Sequence, residues 1–410
     1  MSFTWGRGVF SVARLGRHVV VRGARFGKAP GRPRTRLIVA VTAVAAVAAG
    51  IGMYTLTSGG APSGGPGGSG GATLRGPFRV MSVTPAPGSR RASGGLPVKV
   101  TFSAPLARQS RLPSVTPKVA GRWQARGDTM VFTPARPFSP STQVTVTIPA
   151  SVRSAAGRSL AAPMTAHYTT GAYATLRLAE MLGQLGYLPV SWRLPDLGMR
   201  VVGEFDSSSV GLASQQALAY DPPSGDFSWI KGYPSMLASL WKPDTYNVIL
   251  KGAVMAFQSE HNMTINGAVT STLWAAVFRA SAAGDGNVHG YTYAVADQAD
   301  PETLTIYHDG HVALSSPANT GIPASPTVNG TFPVYEKFLN TIMSGTNPDG
   351  SRYSDPVQYV SYFNGGDAVH YFPRGGYGYQ QSLGCVELPY SAAERAYPYL
   401  TYGSLVTVTG

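Results

Sequence analysis

The chain's one cysteine, Cys385, sits in the run Gln381-Ser382-Leu383-Gly384-Cys385-Val386-Glu387, fifteen residues after His370 in Ala368-Val369-His370-Tyr371-Phe372. A thiol attacks carbonyl carbon as the thiolate, and free cysteine titrates about 1.5 units above pH 7, so a nucleophilic cysteine needs an imidazole beside it. A histidine on one strand and a cysteine just past a small-residue turn supply such a pair. Ser382 is placed to orient the imidazole. Gly384 removes a side chain and lets backbone N–H groups, that of Cys385 among them, approach a developing oxyanion. These residue types at this spacing point to acyl transfer. A cysteine or a strand histidine taken alone is more often a core residue than a catalyst, so the flanking sequence has to carry the distinction.

That flanking sequence resembles the L,D-transpeptidases of bacterial cell walls, the YkuD fold, whose signature is a histidine followed some fifteen residues later by Ser-x-Gly-Cys. Here those are His370 and Ser382-Leu383-Gly384-Cys385. Upstream, Asn319-Thr320-Gly321 and Pro326-Thr327-Val328-Asn329-Gly330-Thr331-Phe332 are similar to the family's Ser-Thr-Gly and Thr-Pro-x-Gly-x-Phe stretches, so three motifs arrive in order over Tyr291 to Gly410. The chain departs from the family at Tyr371, where Gly or Ser is common, at Leu383, where many members carry a second histidine, and at Glu387, where they carry Arg or Asn. The resemblance implies a cysteine thioester enzyme acting on peptidoglycan stem peptides and glycan. It also implies 3→3 cross-links, carbapenem-type beta-lactams as covalent inhibitors of Cys385, and no metal or organic cofactor.

Around the reactive pair, tyrosines crowd the sequence, among them Tyr353, Tyr362, Tyr371 and Tyr379. Residues Leu339 to Gly350 have turn composition where the family places a loop over its substrate groove, which implies a lid with Met343 and Tyr353 as substrate contacts, an ordinary surface loop being the equal alternative. Tyr371 and Arg374 complete the expected substrate-binding set. Glu387 stands two residues beyond Cys385, on the same side of an extended chain, where its carboxylate would dull the nucleophile unless a cation neutralises it. Arg374, four residues past His370, is the expected partner.

The elements that position this site come after a long N-terminal preamble. The formal charge of +13 divides into +9 before residue 37 and +4 after it, so the basic balance concentrates in one tail and gives no support for nucleic-acid binding. Residues 37–56 form a twenty-residue apolar stretch, expected to be a single transmembrane helix with the basic tail (1–36) inside the cell and the catalytic region outside, at the wall; its Ala-rich end reads alternatively as the cleavage region of a secretory signal. Residues 57–77 are a Gly/Pro/Ser linker. Short alternating runs such as Val98-Lys99-Val100-Thr101-Phe102 and Val144-Thr145-Val146-Thr147-Ile148 predict an immunoglobulin-like β-sandwich over 78–170.

Helical periodicity then takes over in 172–280, with Leu185-Gly186-Tyr187, Ala253-Val254-Met255-Ala256-Phe257-Gln258 and Asn266-Gly267 similar to a small peptidoglycan-binding module carrying an insertion at about 189–246. The catalytic region is expected at 290–410. There His308-Asp309-Gly310-His311 is a type I′ hairpin signal rather than a metal site. The expected fold is thus multidomain and mainly β: a membrane helix, a sandwich, a small helical domain and a β-rich catalytic domain. A sortase is the nearest enzymatic rival, but sortases separate histidine and cysteine much further. A non-catalytic wall-binding scaffold is the rival from another class.

Overall fold

In the computed structural model, residues 76–193 and 211–410 are described. The expected basic tail, the apolar stretch 37–56 and most of the linker lie outside them. Among the described residues no helix is long and apolar enough to cross a membrane. The fold class is corrected to its mainly β, multidomain part; a membrane helix is not among the described residues.

The sandwich is built from β1 (Val80–Thr84), β2 (Val98–Phe102), β3 (Ser114–Thr116), β4 (Gly121–Arg126), β5 (Thr129–Pro134), β6 (Gln143–Ile148) and β7 (Met164–Thr169). They form one sheet in the order β1-β2-β5-β4 and a second in the order β3-β6-β7. The alternation read from sequence is the cause: Val98, Val100 and Phe102 from the first sheet and Val144, Val146 and Ile148 from the second point into one core, with Phe78 stacked on Phe102 at 5.5 Å between ring centres.

The helical segment contains α1 (Thr175–Gln184), β8 (Val190–Arg193), α2 (Leu212–Tyr220), β9 (Asp226–Trp229), α3 (Ser235–Ser239), α4 (Val248–Glu260) and α5 (Ser271–Ala283). Helices α4 and α5 open on side-chain caps, Asn247 accepting from the Leu250 amide and Thr270 from the Leu273 amide. The helices of the expected peptidoglycan-binding-like module do not keep a core of their own. Leu178, Leu182, Ile249, Val254, Phe257 and Trp274 share a single core with Tyr291, Tyr293 and Leu405 of the next domain, so the helices spend their apolar faces on the C-terminal sheet. Gly252 of α4 and Gly403 make that docking tight: a Cβ on Gly252 would stand 2.5 Å from the Gly403 carbonyl oxygen. The β8 and β9 pair supplies a two-stranded ribbon within the expected insertion.

The last domain has two sheets. Strands β10 (Thr292–Asp297), β11 (Thr303–His308), β12 (His311–Pro317), β13 (Gly330–Pro333) and β18 (Leu405–Thr409) give the order β12-β11-β10-β18-β13. The β11–β12 hairpin turns at Asp309 and Gly310 with φ of 47° and 80°, the primed geometry that Asp-Gly predicts. Strands β14 (Glu336–Thr346), β15 (Arg352–Asn364), β16 (Asp367–Tyr371) and β17 (Val386–Leu388) form the second sheet in that order, and helix α6 (Tyr390–Ala396) comes after β17. Ala294, Ile306, Val369, Val386 and Val406 form the core between the two sheets.

The expected lid over 339–350 is corrected here: most of it is β14, paired with β15 from Glu336↔Tyr362 to Thr346↔Arg352. Only the tip, around Asn347 to Ser351, turns. Tyr359, at φ 57°, bulges β15. An inserted residue reverses the parity of the rest of the strand, so Val357 before the bulge and Val360 and Tyr362 after it all reach the same apolar cluster.

Candidate active site

Strands β16 and β17 run parallel with Val369 opposite Val386 and His370 opposite Glu387. Continuing that register places Ala368 beside Cys385 and Asp367 beside Gly384. Because side chains alternate, Val369 and Val386 turn into the core between the sheets, while Ala368, His370, Cys385 and Glu387 share the opposite face. His370 and Cys385 therefore stand as diagonal neighbours on adjacent strands, a separation long side chains can span. Met343, Tyr362, Phe372 and Cys385 all pack against the small cluster of Val357, Val360 and Ala368.

His370 is 2% exposed, and its Nδ1 lies 2.9 Å from the Tyr371 carbonyl oxygen. Nδ1 therefore carries the hydrogen, and Nε2 keeps its lone pair. Burial lowers the imidazole pKa; the Tyr371 carbonyl and Glu387 pull it up and Arg374 pulls it down. Neutral imidazole is the resting form at pH 7. The Cys385 thiol is pushed up to about 12, mainly by burial and further by the Asp367 and Glu387 carboxylates, against the Ala368 amide, which favours the thiolate. Its hydrogen-bond acceptor is the Gly366 carbonyl at 3.8 Å. Among the described residues the sulfur makes no hydrogen bond to the imidazole, an arrangement common before substrate binds.

Two expected roles are corrected. Ser382, 1% exposed, does not touch the imidazole: its Oγ donates to the Cys385 carbonyl at 2.6 Å and accepts from the Gly384 amide at 3.2 Å. It staples the turn that presents the thiol, and the Tyr371 carbonyl orients His370. The Gly384 amide donates to Ser382 in this structure, so the expected oxyanion role would need it freed. Gly384 is required for another reason. At φ 117° any side chain is strained, and a Cβ would lie 2.4 Å from Asp367 Oδ1.

Tyr371 also leaves the expected set. Its parity sends it to the other face, edge-on to Tyr390 at 5.2 Å. Tyr353 lies near the thiol: burial and then Cys385 raise its phenol pKa, as they do that of Tyr362. Met343 packs against the same Val357, Val360 and Ala368 cluster as Cys385.

The expected Arg374 contact is present. Arg374 donates from Nε and Nη2 to the two oxygens of Glu387, both at 2.7 Å, and from Nη2 to the Gln381 carbonyl at 3.1 Å, with its guanidinium 4.6 Å from the Phe372 ring centre. The clamp ties the 372–381 loop to β17. Asn319, fully buried, fastens the same parts from beneath. Its backbone exchanges two hydrogen bonds with Glu387, its Nδ2 donates to the Gly376 carbonyl, and its Oδ1 accepts from the Gly378 amide. Next to it, the Thr320 amide and hydroxyl both donate to the buried Glu302 carboxylate, at 2.6 and 2.7 Å.

Asp367 was missed from sequence. It is half-buried, its Oδ1 lies over Gly384, and its Oδ2 accepts from Asn364 Nδ2 at 3.2 Å. Burial pushes its carboxyl up to about 6, and the Asn364 bond offsets part of this.

Two of these segments match known families. Residues 291–408 match the family model of the L,D-transpeptidase catalytic domain, and residues 75–170 match that of a bacterial Ig-like domain. No curated protein sequence matches the chain. Among solved structures, L,D-transpeptidase 3 of Mycobacterium tuberculosis is 17% identical over 81% of this chain and 98% of its own, with a TM-score of 0.28. An L,D-transpeptidase of Mycobacterium smegmatis is 16% identical over 82% of this chain and all of its own, at 0.27. The catalytic domain of the E. faecium L,D-transpeptidase, acylated by ertapenem, is 30% identical over 30% of this chain and 99% of its own, at 0.27.

Proposed function

Because residues 291–408 belong to the L,D-transpeptidase catalytic family, we propose that the chain cross-links peptidoglycan stems through a thioester on Cys385. The observation that carries the reading is the shared face of His370 and Cys385 on parallel neighbouring strands, with Nδ1 tied to the Tyr371 carbonyl and Nε2 left to take a proton. On substrate binding the thiol turns from Gly366 toward Nε2, His370 takes its proton, and Sγ attacks the carbonyl of the third stem residue. The C–N bond to the terminal D-alanine breaks, and His370 protonates the departing amine. The amine of a second stem then attacks the thioester, the C–S bond breaks, and the proton returns through His370 to sulfur. This gives a 3→3 link.

With Gly384 engaged, the Cys385 amide is the backbone donor left at the turn for the oxyanion. A high resting thiol pKa fits a nucleophile deprotonated only when substrate brings thiol and imidazole together. A carbapenem-type beta-lactam, whose strained ring carbonyl offers the same kind of acyl carbon to a thiolate, would acylate Cys385 as well. The catalytic domain would work at the cell wall, where its substrate is.

Intact-mass measurement after exposure to a tetrapeptide stem tests the reading. The parent protein should gain a tripeptide acyl group and the Cys385→Ala variant none. A parent that gains no mass, or a folded Cys385→Ala variant that still forms cross-links, rejects it.

A further inference from the structure

Glu302, the residue before β11, is 2% exposed and forms no ion pair among the described residues. Burying a carboxylate without a cation is unfavourable unless its oxygens are well bonded. Here both oxygens go to one residue: Oε2 accepts from the Thr320 amide at 2.6 Å and Oε1 from the Thr320 hydroxyl at 2.7 Å. The Glu302 amide donates to the Gly378 carbonyl at 2.8 Å, and its carbonyl accepts from the Ala318 amide at 3.0 Å, so the residue is fixed at its backbone as well.

What Thr320 holds in turn is the segment that carries the thiol. Its carbonyl accepts from the amides of Gln381 and Ser382, both at 2.9 Å, and two residues on the Ile322 amide donates to the Ser382 carbonyl at 3.0 Å. Ser382 Oγ then bridges forward to the Cys385 carbonyl at 2.6 Å and accepts from the Gly384 amide. An unbroken series of hydrogen bonds therefore runs from Glu302 through Thr320 and Ser382 to the backbone of Cys385, and Glu302, Thr320 and Ser382 are all buried. None of these bonds uses the Cys385 amide, so the turn sets its direction and leaves it to a substrate oxygen.

We propose that Glu302 is a positioning residue for acyl transfer: by gripping both donors of Thr320 it fixes the thiol turn, and with it the aim of Cys385 Sγ and the Cys385 amide at one carbonyl group. The proposal deepens the reading above and rests on it. Glu302 acts through Thr320 and Ser382 and is not itself a reacting group, so the bonds made and broken are those already given. What it supplies is preorganisation. Misplacing a reacting group by about 1 Å lowers a rate on the order of 100-fold, and losing an oxyanion donor does the same or more.

The test compares two reactions of the same sulfur in the full chain, each followed by intact mass under single-turnover conditions. Methyl methanethiosulfonate needs only an accessible thiol, whereas ertapenem, attacked at its ring carbonyl, also needs the oxyanion donor in place. In Glu302→Ala the rate constant for acylation by ertapenem should fall by about 30- to 100-fold, while that for methyl methanethiosulfonate stays within about threefold of the parent. Glu302→Gln keeps an oxygen for the Thr320 amide and offers the hydroxyl an N–H to accept, so acylation should return to within about fivefold of the parent. That recovery separates geometry from charge, because the Gln and Ala variants lose the same charge. A merely structural role would shrink the fraction of protein that acylates and leave the rate constant of the remainder unchanged. Thr320→Val, which removes one of the two bonds and keeps the other, reads the same link if Glu302→Ala does not fold, with an expected acylation loss on the order of tenfold.

An acylation rate constant within about twofold of the parent in whichever of Glu302→Ala and Thr320→Val folds overturns the proposal. Equal losses in Glu302→Gln and Glu302→Ala, or equal losses with the two reagents, overturn it as well. A parent that reacts with methyl methanethiosulfonate and never with ertapenem rejects the acyl-transfer reading, and the role of Glu302 falls with it. A parent that acylates no faster than its Glu302→Ala variant rejects the role of Glu302 alone.

Discussion

Removing the Arg374 side chain perturbs fold and nucleophile by separable amounts. Arg374 gives Glu387 two charge-assisted hydrogen bonds at 2.7 Å, and the Glu387 side chain is only 5% exposed. Arg374→Ala leaves that carboxylate unpaired against β17, and breaking a buried pair from one side costs about 3–5 kcal/mol. The 28% exposure of the Arg374 side chain lets water replace part of the loss, which favours the lower end of that range. Glu387→Gln alone keeps the shape and removes the charge. In the double variant no charge is stranded, so a cycle of urea unfolding measurements should give a coupling of about 2 kcal/mol.

The same cycle read through iodoacetamide alkylation of Cys385 isolates the effect on the thiol. Glu387 already adds to the raised thiol pKa, and without Arg374 its charge acts in full. A unit charge acting over several ångströms in a site of effective dielectric about 20–40 is worth on the order of 1–2 kcal/mol, or about one pH unit. The alkylation midpoint should therefore move up by about one unit in Arg374→Ala and return toward the parent value in the double variant. Strictly additive effects in both readouts would refute the clamp as the neutraliser of Glu387.

Three further outcomes are expected. His370→Ala should slow acylation of Cys385 by at least about 100-fold, measured by single-turnover mass spectrometry, and a rate within a few-fold of the parent would show that another group activates the thiol. Gly384→Ala should cost about 2–4 kcal/mol, because its Cβ meets Asp367 Oδ1 and its φ of 117° is strained, and denaturant unfolding within 0.5 kcal/mol of the parent (roughly the size of a neutral surface change) would contradict that packing. Asp367, with its carboxyl raised to about 6 in the folded chain from 3.8, holds its proton longer folded than unfolded. Its contribution to stability is fully present below pH 3.8 and is lost as pH rises through about 6, so Asp367→Asn should flatten a fall on the order of 1–2 kcal/mol across that window, after discounting for partial exposure.

Local chemistry made much of this protein legible in one dimension. Strict alternation in 98–102 and 144–148 needs two sheets facing one core, and Asp309-Gly310 between alternating runs needs a primed turn; both formed. The Asn-Thr-Gly, histidine and Ser-x-Gly-Cys motifs marked segments that the fold does bring together. The Arg374–Glu387 clamp was inferable because residues two apart on a strand share a face and a carboxylate there demands a cation. Leu339 to Gly350 read as a lid because Asn340, Ser344 and Thr346 are polar, yet an exposed edge strand is free to carry such residues when its neighbour supplies the hydrogen bonds.

What no local spacing encodes is which strands lie side by side. The parallel register of β16 and β17 alone brings His370 diagonal to Cys385 and sets Asp367 against Gly384. The same register, with the turn it closes, gives Ser382 to the Cys385 backbone and not to the imidazole. The bulge at Tyr359 reverses the parity of β15, so a period of two counted from either end misassigns the other half. The helices, periodic enough to suggest a separate module, merge with the catalytic sheet because the mutual approach of Gly252 and Gly403 lets α4 lie against the entry to β18. The sequence thus carried the reacting groups and their local conformations, while their mutual distances, and with them the charge around the thiol, came from strand pairing between segments far apart in the chain.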